Sequence, residues 1–254
     1  VWIDVPLDVQ GAPYILGKNV FSKVVEDANC DLDIDKIVGL LRGSQKPLFF
    51  WGNGVKLDKA TGDAARLIET HGLPSVFSWN ASDILDYENK WNFGRPGVVA
   101  QRHANFIVQK ADLIISVGTS LDNVLTAYNP KNFAPGAKKI IINIDENQLL
   151  HCAIPNSLKV CTSAKNFIKK LNDHISKNNY ELNIQPWIKE CNHLKARFQN
   201  DFPNEHENDG KISHKDFVLE LSSILDEGQI IATGSSGLAI EAFYMMFRNK
   251  KRQK

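Results

Sequence analysis

From residue 47 onward the chain alternates short apolar runs with longer stretches in which apolar residues recur every three or four positions. PLFFWGNG (47–54) is apolar up to two glycines, and LPSVFSW, DLIISVGTS, AKKIIINIDE and SLKVCTS repeat that form downstream. Between them, DKATGDAARLIETHG and GVVAQRHANFIVQKA have helical spacing, and Gly72 stands where a left-handed helix cap belongs. AKNFIKKLNDHI turns Phe167, Ile168, Leu171 and Ile175 to one side. Upstream, LDIDKIVGLLRGSQ predicts a helix with Asp33 near its start. Residues 80–97 are rich in Asn, Gly and Pro and predict a long loop.

Strands that are almost wholly apolar and alternate with helices predict a parallel sheet covered on both faces. The expected fold class is α/β, with an open, doubly wound, mainly parallel six-stranded sheet of Rossmann type over residues 31–180. SLKVCTS supplies the short sixth strand in that count. The opening segment 1–9 alternates apolar and polar residues as far as Pro6 and predicts a strand outside this unit. Residues 10–30 predict a connector. The stretch 181–211 predicts a linker carrying one helix, QPWIKECNHLKARFQNDF. In 212–254 a helix starts at Ser213, a strand comes next at QIIATGSSG, and a further helix covers 238–247, the pattern of another domain beginning.

Composition narrows the function classes. With 43% hydrophobic and 23% charged residues the 254-residue chain is of globular type, and a net charge of +1 gives no reason to expect a nucleic acid or membrane partner. No apolar run reaches the roughly 18 residues that a membrane span needs. The four cysteines form no C-x-x-C pair, so a disulfide framework or zinc site is not expected, and a reduced, cytoplasmic setting is. The chain begins with Val, and Met245 and Met246 are its two methionines, which predicts that it continues upstream. The basic end RNKKRQK reads as a solvated linker.

Candidate chemistry gathers at strand ends, where open parallel sheets hold their ligands. Gly52 and Gly54 could bring backbone N–H groups to a pyrophosphate, or could simply make a tight turn. Gly118, Thr119 and Ser120 offer a second such turn, with hydroxyl donors. Asp145 could accept from a ribose or cap a helix. Arg95, in the long loop, could meet a phosphate. The turn Thr233–Gly237 opens a helix and is either an anion site or an ordinary cap. The seven histidines are scattered, with His71 beside the Gly72 cap, and Cys161 reads as buried. No nucleophile–base pair and no metal-ligand spacing appears, so neither catalytic residues nor a metal site are expected within this chain.

Several phrases together resemble thiamine-diphosphate-dependent enzymes of the acetolactate synthase type. VWIDVPLDVQ is similar to the stretch that closes that family's pyrimidine-binding domain. PLFFWGNGV and QKADLIISVGTSLD resemble strands of its central domain. AKKIIINIDENQL matches an Ile-Asp-Ile-Asp stretch, with Asn143 in place of the first Asp, and ISHKDFVLELSSIL followed by QIIATGSSG resembles the opening of its diphosphate-binding domain. The resemblance implies a central domain flanked by pieces of two others, within a homodimer or homotetramer that decarboxylates a 2-keto acid and passes the fragment on. It implies thiamine diphosphate and Mg2+ as cofactors of the full-length enzyme. The family's catalytic Glu would lie upstream and its Gly-Asp-Gly motif downstream. The single Asp-Gly here, Asp209-Gly210, falls in the linker, so the chain alone is expected to be inactive.

By the same resemblance, Gly52 and Gly54 match glycines that approach FAD in flavin-binding members, while Ser120 and Val124 stand where those members carry arginines. Some relatives hold ADP there instead, and others leave the site empty. Ser236, Gly237 and Leu238 match the turn against the thiamine diphosphate phosphates, and Gly237-Leu238 is closer to acetolactate-synthase-like enzymes of surface-sugar pathways. The competing expectation, from the residues alone, is a stand-alone module binding NAD, ADP or FAD without catalysis.

Overall fold

A computed structural model describes residues 3–13, 32–178, 180–198, 212–234 and 237–254. In chain order the described elements are α1 (Leu7–Gln10), α2 (Ile34–Gly43), β1 (Pro47–Trp51), α3 (Gly54–Leu57), α4 (Thr61–His71), β2 (Ser75–Phe77), α5 (Arg102–Lys110), β3 (Leu113–Val117), β4 (Lys138–Asn143), α6 (Glu146–His151), β5 (Ser157–Cys161), α7 (Ala164–Lys177), α8 (Gln185–Phe198), α9 (His214–Ile224) and α10 (Gly237–Met246), with short 3-10 turns at Trp79–Ile84 and Pro130–Asn132.

The strands form one parallel sheet in the order β2-β1-β3-β4-β5. All five residues of β1 and of β3 are buried, as strands covered on both faces must be. Successive side chains point to opposite faces. Phe49, Trp51, Ile115, Val117, Ile140 and Ile142 therefore pack with α2, α4 and α7, while Leu48, Phe50, Ile114 and Ile141 pack with α5 and α8. The helices stop where the sequence stops them. Asp33 caps α2 by accepting from the Lys36 N–H, and Gly72 ends α4 at φ 66°.

Three expectations change. The sheet has five strands among the described residues, not six. The described residues 3–9 of the opening segment form no strand: Pro6 accepts from the Gln10 N–H at 3.0 Å and starts the single turn α1, and Ile3 and Leu7 are exposed. Alternation without a neighbouring strand leaves the backbone unpaired, and Pro, having no N–H, favours a helix start. The described residues 229–234 of QIIATGSSG form no strand either. Residues 229–234 run irregularly, Ile230 is exposed, and the contacts Ile231 N–H to Lys254 O (2.8 Å) and Lys254 N–H to Gln229 O (3.1 Å) tie it to the chain's end.

The helix expected within 181–211 forms as α8 and packs with α5 on the sheet's second face. It buries Trp187, Cys191 and Leu194, and the Trp187 indole N–H donates to Pro47 O at 2.9 Å. Glu190 meets Lys46 at 2.7 Å and Lys110 at 2.8 Å. Beyond it, α9 and α10 close a small cluster of Val218, Ala242, Met246 and Phe247.

Candidate functional site: the crevice at the carboxyl edge of the sheet

The strand order reverses direction between β1 and β3, and a crevice is expected beyond the carboxyl ends there. Two turns meet at that point. The Gly52 N–H donates to Val117 O at 2.9 Å, the Gly54 N–H to Gly118 O at 2.8 Å, and the Gly118 N–H to Ile142 O at 2.9 Å. A Cβ on Gly52 would sit 2.3 Å from Gly118 O, and one on Gly54 would sit 2.8 Å from the Gly118 Cα. Gly118 itself has φ +65°. These glycines exist because backbone lies directly on backbone, and their N–H groups are spent inside the fold.

A cavity of about 480 Å³ opens over the ends of β3 and β4, bounded by Gly54, Asp58, Gly118, Ser120, Asp145 and the start of α7. A second cavity, about 230 Å³, lies toward β2, bounded by Ser78, Trp79, Asn80, Thr119 and Asp122. Asn53, Gly118 and Ser120 line both. Most polar groups here serve their own turns. Asp145 accepts from the Asn147 and Gln148 N–H groups at 2.9 and 3.2 Å, capping α6. Asp122 accepts from the Val124 and Leu125 N–H groups, both at 3.0 Å. Ser163 Oγ accepts from the Asn166 N–H at 3.2 Å, and Asp58 Oδ2 accepts from the Lys165 N–H at 2.6 Å, both at the amino end of α7.

The structure thus brings Gly54, Gly118, Thr119, Ser120 and Asp145 to one groove, with Gly52 behind its wall. Arg95 is elsewhere. It is buried, its Nη2 donates to Phe247 O at 2.6 Å, and burial lowers its pKa to about 10. The long loop around it is a dock for the C-terminal segment. Gln101 donates to Met245 O at 3.1 Å, Asn249 donates to Leu85 O at 2.9 Å, and Trp79 stacks on Tyr244 with centroids 4.8 Å apart. His103, beneath this dock, is buried with both ring nitrogens lacking a hydrogen-bond partner, and burial, reinforced by the Lys195 and Arg95 charges, lowers its pKa to about 3. Cys191 is likewise inert, its thiol pushed up by burial beyond the physiological range.

Asp58 and Asn53 were not singled out by the sequence. An acid ending a one-turn helix carries no signature, and only the contact with α7 gives it meaning. In the turn expected to face diphosphate, Gly237 opens α10 with nothing within 4 Å of a Cβ placed on it. Ser236 lies outside the described residues, as does the Leu238 side chain. Among the described residues there is no cluster of His, Cys, Asp or Glu able to hold a metal, and no helix long and apolar enough to cross a membrane.

A parallel sheet covered on both faces, with a crevice at its switch point, places the described unit among doubly wound α/β domains. Comparison with known proteins makes this specific. The family described as thiamine pyrophosphate enzyme, central domain, matches residues 34–171, and the chain belongs to that family. A probable acetolactate synthase large subunit from Methanococcus aeolicus is 26% identical over 241 residues, which cover 89% of this chain and 40% of that protein. A 3D-(3,5/4)-trihydroxycyclohexane-1,2-dione hydrolase from Geobacillus thermodenitrificans is 29% identical over 204 residues, covering 76% of this chain and 31% of the relative. The acetolactate synthase isozyme 1 large subunit of Escherichia coli is 28% identical over 151 residues, covering 59% of this chain and 26% of that subunit. The chain therefore spans well under half the length of these relatives.

Proposed function

We propose that this chain is the scaffold portion of an acetolactate-synthase-like enzyme that decarboxylates a 2-keto acid and joins the fragment to an acceptor, in surface-sugar metabolism. In this reading thiamine diphosphate with Mg2+ supplies the carbanion chemistry, the working form is a cytoplasmic homodimer or homotetramer, and the catalytic groups lie in flanking domains of the same polypeptide. The chain's own residues set the spacing of those domains. The sheet gives a rigid block, and the loop around Arg95 fixes the segment that carries Gly237.

The observation that carries this reading is the family match over the sheet, joined to a crevice whose Asp122 and Asp145 carboxylates are committed to their own turns. The test is turnover of pyruvate with thiamine diphosphate and Mg2+, by the chain alone and by the full polypeptide encoded by its gene. Cofactor-dependent pyruvate consumption is expected from the full polypeptide alone. Turnover by the chain itself would remove the scaffold role. A full polypeptide that consumes no 2-keto acid would remove the reaction. The second reading, a stand-alone nucleotide module, draws on the 480 Å³ cavity at the switch point, and the charge of that cavity bears on it directly.

A further inference from the structure

We propose that the crevice excludes diphosphate nucleotides, because Asp58 already occupies the anion position at the amino end of α7. This holds whatever reaction the full enzyme performs. The cavity is of nucleotide size and lies where nucleotides bind in such sheets. At such sites a phosphate is held by helix N-terminal N–H groups, by glycine-turn N–H groups and by cationic side chains. Here the glycine N–H groups and two N–H groups at the start of α7 are taken, and no cationic side chain lines the crevice.

At α7, a 14-residue helix, the Lys165 N–H donates to Asp58 Oδ2 at 2.6 Å and the Asn166 N–H donates to Ser163 Oγ at 3.2 Å. Asp58 comes from the end of α3, so this carboxylate reaches across from another element and is seated as an external anion would be. The glycine N–H groups of the two turns are bound to Val117, Gly118 and Ile142 carbonyls. Among the described residues lining either cavity there is no Lys or Arg, whereas Asp58, Asp122 and Asp145 face them. Lys56, two residues from Asp58, is paired with Asp83 at 2.8 Å. A diphosphate would enter a groove whose fixed charges are all negative. An uncharged hydroxyl-bearing ligand would instead find carboxylate acceptors for its donors. At a separation near 6 Å, repulsion from one such carboxylate lowers the affinity of an anion by on the order of tenfold.

Calorimetric titration of the chain with adenosine, ADP and FAD tests this, together with Asp58→Asn, which keeps an acceptor for the Lys165 N–H and removes the charge. In the wild-type chain ADP and FAD should bind no tighter than adenosine. In D58N, ADP binding should strengthen by on the order of tenfold, with adenosine unchanged. Micromolar binding of ADP or FAD by the wild type, tighter than adenosine, would overturn the proposal. So would a D58N protein, folded by circular dichroism, whose response to ADP equals the wild type's. Asp145→Asn, which also keeps its capping oxygen, separates a local effect of Asp58 from a general loss of negative charge. An equal gain from both variants would overturn the special place given to Asp58.

Discussion

The carboxyl edge of the sheet and the dock of the C-terminal segment solve opposite problems. At the sheet edge, glycine makes room for contact between two backbones, and the fold depends on side chains that are absent. At the dock, long polar side chains from the loop around Arg95 reach main-chain carbonyls in α10 and just beyond its end. The first arrangement tolerates almost no substitution, and the second is a set of separable pins. Packing geometry sets the stability of one, and the satisfaction of buried donors sets that of the other.

The largest expected effect lies at the sheet edge. Gly52→Ala places a methyl group 2.3 Å from Gly118 O and 2.4 Å from the Thr119 Cβ, neither of which can move without breaking the β1–β3 pairing. A loss on the order of 4 kcal/mol is expected in denaturant unfolding, at the upper end for a single substitution. A loss below about 1 kcal/mol would mean that the two turns can separate, and the contrast with the dock would collapse.

Next comes the dock itself. Arg95→Met removes the donor to Phe247 O and leaves that carbonyl inside an apolar contact. A cost of about 2 kcal/mol is expected, localised to the C-terminal segment. Hydrogen exchange should quicken in 237–249 while β1, β3 and β4 keep their protection. Uniform loss of protection would show that sheet and dock unfold as one unit.

His103 sharpens the comparison through pH. Its pKa in the folded chain is lowered to about 3 from an ordinary 6.5. The neutral ring is therefore the folded form, and below pH 6.5 the unfolded chain takes up the proton first. Stability from this group is whole above 6.5 and is lost as pH falls toward 3, by up to about 1.4 kcal/mol per pH unit. His103→Leu should flatten that part of the stability–pH curve. An unchanged slope would show that the ring is solvated.

The smallest effect lies on the surface. Glu190, its carboxyl held below the usual range by hydrogen bonds from Lys110 and Lys46, joins α8 to the sheet. Glu190→Gln should cost about 0.5 kcal/mol, and less in high salt.

Legibility in the sequence divides along the same line. β1, β3 and β4 were legible because a strand buried on both faces must be apolar along its whole length. The inward face of α7 was legible because its spacing is helical. The dock was not, since Phe247, Met245 and Leu85 contribute only carbonyls, which every residue has. Residues 3–9 misled because alternation shows that a strand could form and says nothing of a neighbour to pair with. Asp145 was visible as a candidate, and both readings of it describe the same place: it caps α6 while lining the crevice. Asp58 stayed hidden because its partner is the backbone N–H of Lys165, over a hundred positions away.

Trp79 touches both regions. Its residue lines the smaller cavity, and its indole stacks on the Tyr244 ring. A displacement of Tyr244 would therefore remove the support behind one wall residue of that cavity. A partition one ring thick gives its two rooms a common history.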